Sequence, residues 1–589
     1  MHARDVLTPL IAAALLTTDA SAAPIPVTLE QAEEGWSLRR DGEVYVIRGG
    51  GGNQDPALLA LSGGNSTRTW GIGDDTAALL DAAHEAGLTV ALGIWLGHKR
   101  HAFDYSDPGQ VAAQLEAARD AVRTYRDHPA VLLWGVGNEM EGFEEGDDPR
   151  IWSAVCEVAE AVKALDPNHP VMTVTADIGG GRVAAVSGCE AIDIHGVNSY
   201  GGALSLPDRY AEAGGQKPLI ITEYGPAGTW EIPFTDYGAP PELTSTQKAE
   251  VYARIWQEAI AARPSVLGGY AFLWGWKVEA TATWYGLFLP DGTRLGGVDA
   301  LARAWGTTPF NLSPVVSPLT AAGGDAVNPG EKVTVSWTIK DPEGDPVSTD
   351  WELRWEVRSY FTGGDDSPLP PRVDKAVLES SATSVTLRMP DTPGAYRLYA
   401  TARDGQGGGA NASLPLLVGE PVAPDGPASL PWWLYQDDGV GGPWAPSGWM
   451  GDIEAITHDT GWTEGCASAP SCIKVVFDSQ SWGGVAWQHP ANDWGDRPGG
   501  VDLSEARWLT FKVRSDFNLR EVAFGVGLLE DDKAYPDSMR KEKTVKLTTE
   551  WQTVRIRLRG DRSQIKTGFY WVAPIQGPVT FYLDDIVFE

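Results

Sequence analysis

The chain carries few positive charges for its length. Its 589 residues include 46 Lys and Arg against 79 Asp and Glu, which gives a formal net charge of −33. A surface this acidic repels phosphate backbones and anionic lipid headgroups. The composition therefore argues against nucleic acid and against an anionic membrane surface as partners, and it suits a secreted protein.

Cysteine is also scarce, with four residues, and no spacing among them suggests a zinc site. Cys466 and Cys472 lie close together in a Gly/Ser/Pro-rich stretch, which predicts a local disulfide in an oxidising compartment. Cys156 lies in a helical pattern and Cys189 precedes a strand, so these two could pair or could remain buried thiols.

Only the N-terminus shows the pattern of a targeting segment. Arg4 gives a weakly basic start, an apolar stretch runs from Leu7 to Leu16, and small residues follow at 20–23. This order predicts a signal peptide over residues 1–23. The apolar stretch is too short to span a bilayer, and no later segment resembles a membrane span. We expect a secreted protein, periplasmic or extracellular; no pattern indicates its oligomeric state.

Aromatic residues, in contrast, are abundant: the chain has 25 Trp, 17 Tyr and 14 Phe. Aromatic rings fill protein cores, and their flat faces also stack on sugar rings. We assign about half of these rings to cores on general grounds. The remainder makes a carbohydrate ligand plausible.

Apolar strands alternate with helical segments between residues 43 and 305. Eight strands over roughly 260 residues are the count and the size of a (β/α)8 TIM barrel, and continuous apolar runs are typical of a parallel sheet buried on both faces. The predicted strands are 44–48, 65–70, 88–95, 130–138, 171–176, 192–198, 219–223 and 268–274, and the clearest helices are 76–86, 111–125, 152–165 and 245–262.

The pattern changes near residue 307, where long helical segments end. Short alternating strands over 309–418 predict an immunoglobulin-like β-sandwich. Residues 419–429 form a Pro/Gly/Ala linker, and the Trp-rich β pattern of 430–589 predicts a jelly roll. The expected chain is multidomain: signal peptide 1–23, catalytic barrel 24–308, sandwich 309–418, linker 419–429 and jelly roll 430–589.

Two barrel strands end at a glutamate. The fourth runs into Glu139 and the seventh into Glu223. Strands four and seven lie on opposite sides of an eight-stranded barrel, and active sites lie at the C-terminal ends of barrel strands. Two facing carboxylates are what a glycoside hydrolase needs, and opposed strand ends can bring them to about 5–5.5 Å, the separation of retaining enzymes. The pair therefore predicts retention.

The motif Trp134-Gly135-Val136-Gly137-Asn138-Glu139 resembles the strand-four motif of the clan A retaining glycosidases, and Ile221-Thr222-Glu223-Tyr224-Gly225 resembles their nucleophile motif. The barrel is most similar to glycoside hydrolase family 2 and related β-glucanase families. This resemblance implies Glu139 as acid/base and Glu223 as nucleophile.

The same resemblance implies roles for substrate-binding and supporting residues. Arg68 would hold the nucleophile, and Tyr200 would do so too, with Asn198 and His195 as alternatives for that position. Trp274 would be the aromatic platform beneath the reacting sugar. Asn138 would hydrogen-bond the 2-hydroxyl of the sugar, a contact that strengthens in the transition state.

Two charged loops follow the strands that lead to the site. His98, Lys99, Arg100 and His101 follow strand three, either as a solvated loop or as sugar contacts, with His98 the best candidate for contact. An acidic loop follows Glu139 and is expected to be solvated; it contains Glu141, Glu144, Glu145, Asp147 and Asp148. Its charge would disfavour anionic uronate polymers.

The C-terminal domain resembles jelly-roll carbohydrate-binding modules, including family 11, through its Leu583-Asp584-Asp585-Ile586 ending. That resemblance implies a possible structural Ca²⁺, for which Asp584 or Asp585 with Asp437 and Asp438 could supply oxygen ligands. Four tryptophans could form a glycan platform, although core packing is the commoner fate of each: Trp432, Trp433, Trp482 and Trp487.

The sequence thus predicts a secreted retaining β-glycoside hydrolase of a polysaccharide, with a β-glucan as the expected substrate and β-1,3 linkage favoured. No cofactor is expected for catalysis. A transglycosylase would use the same glycosyl-enzyme intermediate, and a non-catalytic glycan-binding protein could keep the barrel as a scaffold.

Overall fold

The structure is a computed structural model. It describes residues 24–589 except 33–34, 102, 142–147, 234, 236, 238, 310, 357–363, 365–368, 420–427, 437–438, 441–443, 496–498, 531–532, 534 and 576. The predicted signal peptide, most of the predicted linker and the calcium candidates Asp437 and Asp438 lie outside the described residues, as do Glu144, Glu145 and Asp147.

The chain divides into two compact units. The first runs to Gly225 and also includes Arg254–Trp274 and Ala302–Thr308. The second comprises Pro226–Ala253, Gly275–Leu301 and Pro309–Glu589. All eight barrel strands belong to the first unit, whereas the later β-sheets belong to the second.

Eight parallel strands close into a barrel in the order β7-β8-β1-β2-β3-β4-β5-β6, which confirms the predicted fold class. The strands are β1 Ile47–Gly51, β2 Ser66–Arg68, β3 Thr89–Ile94, β4 Val131–Asn138, β5 Val171–Ala176, β6 Ile194–Asn198, β7 Leu219–Tyr224 and β8 Val266–Phe272. The helices that follow them in sequence are α1 Pro56–Leu61, α2 Thr76–Glu85, α3 Pro108–Tyr125, α4 Pro149–Leu165, α5 Arg182–Ser187, α6 Leu206–Glu212, α7 Ser245–Ile255 and α8 Gly296–Ala304.

The glycines of β1 make room for aromatic side chains. A Cβ at Gly49 would lie 2.2 Å from the ring of Tyr270, and one at Gly50 would lie 2.7 Å from the Cβ of Trp274. Tyr270 is fully buried with the apolar side chains of the barrel interior. Any larger residue in this glycine run would therefore displace part of the core.

An antiparallel hairpin precedes the barrel, with strands Val27–Ala32 and Gly35–Arg40. Val27 donates a backbone hydrogen bond to the carbonyl of Asn168, just before β5, and the indole of Trp36 reaches the carbonyl of Gln216, just before β7. The hairpin thus lies against the N-terminal ends of the strands, opposite the end where Glu139 and Glu223 lie.

The second unit begins its β-structure with a two-sheet sandwich. One sheet contains Thr320–Ala321, Lys332–Ser336, Ser384–Arg388 and Val377–Ser380; the other contains Arg294–Leu295, Gly408–Val418, Gly394–Arg403, Ser348–Trp355 and Ala326–Val327. Alternate residues of these strands form one buried apolar core. The edge strand Arg294–Leu295 precedes residue 309, the position at which the sequence predicts the start of this domain.

The C-terminal domain is a second pair of sheets. One consists of Gly439–Val440, Trp432–Gln436, Val579–Phe588, Cys472–Phe477, Ile456–Trp462, Trp508–Ser515 and Gln552–Arg557; the other consists of Ala445–Gly451, Gly483–Gln488, Thr567–Ala573, Glu521–Val526 and Lys541–Lys546. Trp487 is fully buried in the core between them, so it is no glycan platform, and Trp432 packs against the same core. Trp482 is exposed.

All four cysteines form disulfides. Cys466 pairs with Cys472. Cys156 of α4 pairs with Cys189, which decides between the two alternatives that the sequence left open for these residues.

Protein groups already contact the carboxylates of Asp584 and Asp585. Asp584 is buried and accepts hydrogen bonds from the backbone N–H groups of Ala467 and Ser468 and from the Ser468 hydroxyl, at 2.8–3.0 Å. Asp585 pairs with the Lys512 ammonium at 2.7 Å. Hydrogen-bond donors and a cation therefore engage both carboxylates within the protein. We propose that both carboxylates anchor the Cys466–Cys472 loop instead of binding Ca²⁺.

This proposal predicts that a chelator leaves the Tm of the protein unchanged. Removal of the disulfide by Cys466→Ala with Cys472→Ala should lower the unfolding free energy of the C-terminal domain by about 2 kcal/mol, as expected for a short disulfide loop. Thermal unfolding with and without EDTA measures the first effect. A lower Tm in EDTA that added Ca²⁺ restores would show that the domain does hold the ion.

No helix of the described residues has the length and apolar character that a membrane crossing requires. Within the same residues, no cluster of three or more His, Cys, Asp or Glu side chains is placed to hold a metal ion.

Candidate active site

The two glutamates lie at the same end of the barrel. Glu139 directly follows β4, and Glu223 is the second-last residue of β7. Gly137 and Glu139 adopt left-handed backbone conformations, with φ of 70° and 51°. A non-glycine residue in this region is uncommon, and strained positions of this kind cluster at functional sites. The turn is held by a hydrogen bond from the Glu139 N–H to the Val174 carbonyl.

Three donors surround the Glu223 carboxylate, which is almost fully buried. Arg68 Nη1 and Trp70 Nε1 each donate to Oε1 at 2.8 Å. The Tyr200 hydroxyl donates to Oε2 at 2.6 Å. Charge-assisted hydrogen bonds of this kind complement a negative charge and fix its orientation. The arrangement suits a carboxylate that attacks a substrate from one defined direction.

A chain of hydrogen bonds joins the two glutamates. Arg68 donates from Nη2 to Asn138 Oδ1 at 2.7 Å. Asn198 Nδ2 donates to that same oxygen at 3.1 Å and to Glu139 Oε1 at 2.7 Å. The chain therefore runs from Glu223 through Arg68, Asn138 and Asn198 to Glu139, and it fixes both carboxylates relative to each other.

The amide of Asn138 is oriented by these contacts. Both hydrogen bonds reach its carbonyl oxygen, so its Nδ2 remains to donate to a ligand. Asn138 is half-buried at the end of β4, beside Glu139. This is the orientation that a donor to a sugar hydroxyl needs.

The sequence left three candidates for the second residue that holds the nucleophile, and the structure shows which of them contacts Glu223. Tyr200 reaches Glu223, whereas Asn198 reaches Glu139 instead. His195 is fully buried outside the site: its Nε2 lies 2.9 Å from the Thr175 hydroxyl, and its ring packs on Tyr210 of α6. Burial lowers the pKa of His195 to about 3, so it is neutral. His195 therefore contacts neither the nucleophile nor a substrate, and its inclusion among the candidate site residues is wrong.

Trp274 is not a sugar platform in this structure. Its side chain is 0% exposed, lies against Gly50 and stacks with Trp305 at 6.4 Å. The glycine run of β1 creates the space that Trp274 fills, so the indole is part of the core. A strand-end position alone did not reveal this, because a side chain there can point either into the cleft or into the barrel wall.

Trp70 was not expected at the site. The sequence contained a signal for it: Arg68 and Trp70 are two residues apart at the end of a strand, and this spacing places both on one face. The half-buried indole also packs edge-on against Phe272, at 5.8 Å between ring centroids.

Trp70→Phe should lower kcat by about tenfold and change KM little, because phenylalanine keeps the ring contact but removes the N–H that holds Glu223 Oε1. Steady-state kinetics with Trp482→Phe as the control would measure this. An unchanged kcat would show that Arg68 and Tyr200 suffice to hold the nucleophile.

Glu141 is buried, which corrects the expectation that it lies in a solvated acidic loop. It accepts a hydrogen bond from the Ala176 N–H at 2.6 Å and lies 3.1 Å from Arg182. Burial raises the pKa of Glu141 from 4.5 to about 7. Asp148, at the other end of the acidic segment, caps α4 and pairs with Lys99 and Arg150.

A buried carboxyl with a raised pKa stabilises the fold fully below its unfolded pKa of 4.5, and this contribution is lost as the pH rises to about 7. The stability of Glu141→Gln relative to the native protein should therefore rise with pH across this window. The expected rise is up to about 3 kcal/mol in unfolding free energy, and the Tm difference should follow it. Thermal unfolding at pH 5 and pH 8 measures the effect, with exposed Glu160→Gln as control. A pH-independent difference would contradict it.

Part of the barrel is similar to a known family. Residues 55–234 match the family model described as glycosyl hydrolases family 2, TIM barrel domain. Both Glu139 and Glu223 fall inside this match, in the part of the chain where the two strand-end motifs predicted a glycoside hydrolase site.

Curated relatives include beta-glucuronidases. The chain is 31% identical over 124 residues to that of Chlorocebus aethiops and 32% identical over 124 residues to that of Felis catus. Each alignment covers 19% of this chain and 18% of the relative, so the chain matches less than a fifth of their length. Neither name supports the β-glucan substrate that the sequence suggested.

Solved structures show a distant similarity. A beta-D-glucuronidase of Dictyoglomus thermophilum aligns at 17% identity with a TM-score of 0.39, covering 48% of this chain and 54% of that one. A family 2 beta-galacturonidase of Eisenbergiella tayi aligns at 17% identity with a TM-score of 0.38, over the same shares.

Proposed function

We propose that the protein is a retaining β-glycosidase in which Glu139 is the acid/base and Glu223 the nucleophile. The observation that carries this proposal is the hydrogen-bonded chain that links the two strand-end glutamates. Arg68, Trp70 and Tyr200 hold Glu223 for attack, while Asn198 holds Glu139.

In the first step, a Glu223 oxygen attacks the anomeric carbon as Glu139 gives its proton to the departing glycosidic oxygen. The bond to the leaving group breaks, and an ester forms between the sugar and Glu223. In the second step, Glu139 takes a proton from water, and the hydroxide oxygen replaces Glu223 at the anomeric carbon. Two inversions give net retention, and Asn138 is placed to hydrogen-bond the 2-hydroxyl in both steps.

For the sugar, we propose a β-D-glucuronide, because the curated relatives of the barrel bear that activity in their names. The net charge of −33 disfavours a long polyanionic chain. The proposed substrate is therefore a single glucuronate on a neutral partner rather than a polyuronate. A β-1,3-glucan is the comparison substrate.

Nitrophenyl β-D-glucuronide, β-D-galacturonide and β-D-glucoside, together with a β-1,3-glucan, distinguish these substrates. Proton NMR of the first product anomer tests retention: the β-anomer is expected before mutarotation. The α-anomer as first product would contradict double displacement.

The same assays address the two rival functions. A transglycosylase would give products longer than the substrate, because a sugar replaces water in the second step. A non-catalytic glycan-binding protein would give no product at all, and Glu223→Ala would then behave like the native protein.

A further inference from the structure

An exposed tryptophan lies at the mouth of the barrel, outside the hydrogen-bonded catalytic network. Trp95 follows directly after β3 and is 42% exposed. An exposed indole offers a flat apolar face on which a ligand ring can stack.

The indole of Trp95 is supported on one side. Its ring stacks with that of His98 at 4.9 Å and with that of His101 at 6.4 Å. The two imidazole centroids are only 6.0 Å apart. Histidines on opposite faces would lie farther from each other than either lies from the indole. Both therefore occupy one side, and the exposed area belongs to the other.

The position of Trp95 relates it to the nucleophile. A Cβ at Gly71 would lie 3.2 Å from the Trp95 Cβ, and no other atom would come within 4 Å of it outside its chain neighbours. Gly71 directly follows Trp70, whose indole donates to Glu223. Trp70 and Trp95 thus lie on neighbouring parts of the cleft wall, and the absence of a side chain at Gly71 leaves space between them.

Ion pairs connect the loop that follows Trp95 with a groove. Lys99 pairs with Asp148 at 2.7 Å, and Arg150 pairs with the same carboxylate at 3.0 Å. Arg150 also lines a groove of about 400 Å³ at the N-terminal ends of α3 and α4, together with Tyr105 and Ser153. A chain that leaves the catalytic site past Trp95 could continue toward this groove.

We propose that Trp95 is the stacking platform of a second sugar subsite. It takes a pyranose ring of the substrate other than the ring between Glu139 and Glu223, with the sugar's C–H face against the open face of the indole. His98, which is buried, has the role of holding that indole rather than of touching sugar. The inference rests on the proposed function and extends it: the natural substrate is an oligosaccharide, not a simple glycoside.

The kinetic test compares Trp95→Ala with the native protein on two substrates that share the cleaved sugar: its nitrophenyl glycoside and an oligosaccharide that ends in it. We expect kcat/KM to fall about tenfold for the oligosaccharide only, as for one lost stacking contact. Trp95→Tyr should recover most of the loss. Trp482→Ala, which removes a tryptophan that is 45% exposed in the C-terminal domain, is the matched control.

A binding test separates this inference from the proposed chemistry. Glu223→Gln, with and without Trp95→Ala, is titrated calorimetrically with β-1,3-gluco-oligosaccharides of increasing length and with their glucuronate-capped forms. Affinity that rises with length only when Trp95 is present supports the subsite, even if native protein hydrolyses none of these compounds. Equal affinity of both variants, or no binding by either, overturns it. Failure of the proposed function alone would appear as binding without hydrolysis.

Discussion

Glu223→Ala is expected to lower kcat at least about 10⁴-fold on every substrate, because it removes the group that forms the covalent intermediate. Arg68, Trp70 and Tyr200 would then surround a cavity that no carboxylate fills. Thermal unfolding checks that the loss is chemical and not structural, and Glu212→Ala, at an exposed end of α6, is the matched control.

Added azide gives this variant a distinctive product. A small anion can enter the space left by the carboxylate and attack the anomeric carbon from the same side as Glu223 would. The leaving group departs with the help of Glu139, and the product is the α-glycosyl azide. Recovery of activity as the β-azide would place the nucleophile elsewhere, and full activity without azide would refute its assignment.

Glu139→Ala is expected to have an effect that depends on the leaving group. A substrate with a poor leaving group needs the proton of Glu139, so its kcat/KM should fall about 10³-fold, within the range of general acid catalysis. The dinitrophenolate of a dinitrophenyl glycoside departs without that proton, so kcat/KM for this substrate should change little. Its kcat should still fall, because no base then activates water in the second step.

Azide again identifies the role of the residue. With Glu139 absent, azide attacks the glycosyl ester on Glu223 from the opposite side and gives the β-glycosyl azide. Glu141→Ala, which removes the buried carboxyl two residues away, controls for the loss of a nearby carboxyl group. An equal loss of kcat/KM on good and poor leaving groups would show that Glu139 is not the acid.

The barrel and its two glutamates were predictable from sequence because both depend on short-range patterns. The apolar runs that end at Glu139 and Glu223 give strand count and position, and the fold then places the strand ends at one face. Arg68, Asn138 and Tyr200 were predicted from the family resemblance, and the structure brings all three to the site.

The errors concern residues whose environment depends on other parts of the fold. Trp274 is buried because distant glycines of β1 leave space for it, and His195 faces the helix layer, where Tyr210 meets it. Glu141 is buried where its carboxyl group contacts Arg182 and the backbone N–H of Ala176. None of these contacts is local in sequence, so a strand-end position or a run of charge could not reveal them.

Trapping of the covalent intermediate tests the central assignment most directly. A 2-deoxy-2-fluoro glycoside with a dinitrophenyl leaving group forms the glycosyl ester but hydrolyses slowly, because the fluorine destabilises both positively charged transition states. Digestion and mass spectrometry should then find the sugar on the peptide that contains Glu223, with no label in Glu223→Ala. A label on Glu139, or turnover of the native glycoside with no labelled peptide at all, would contradict the account.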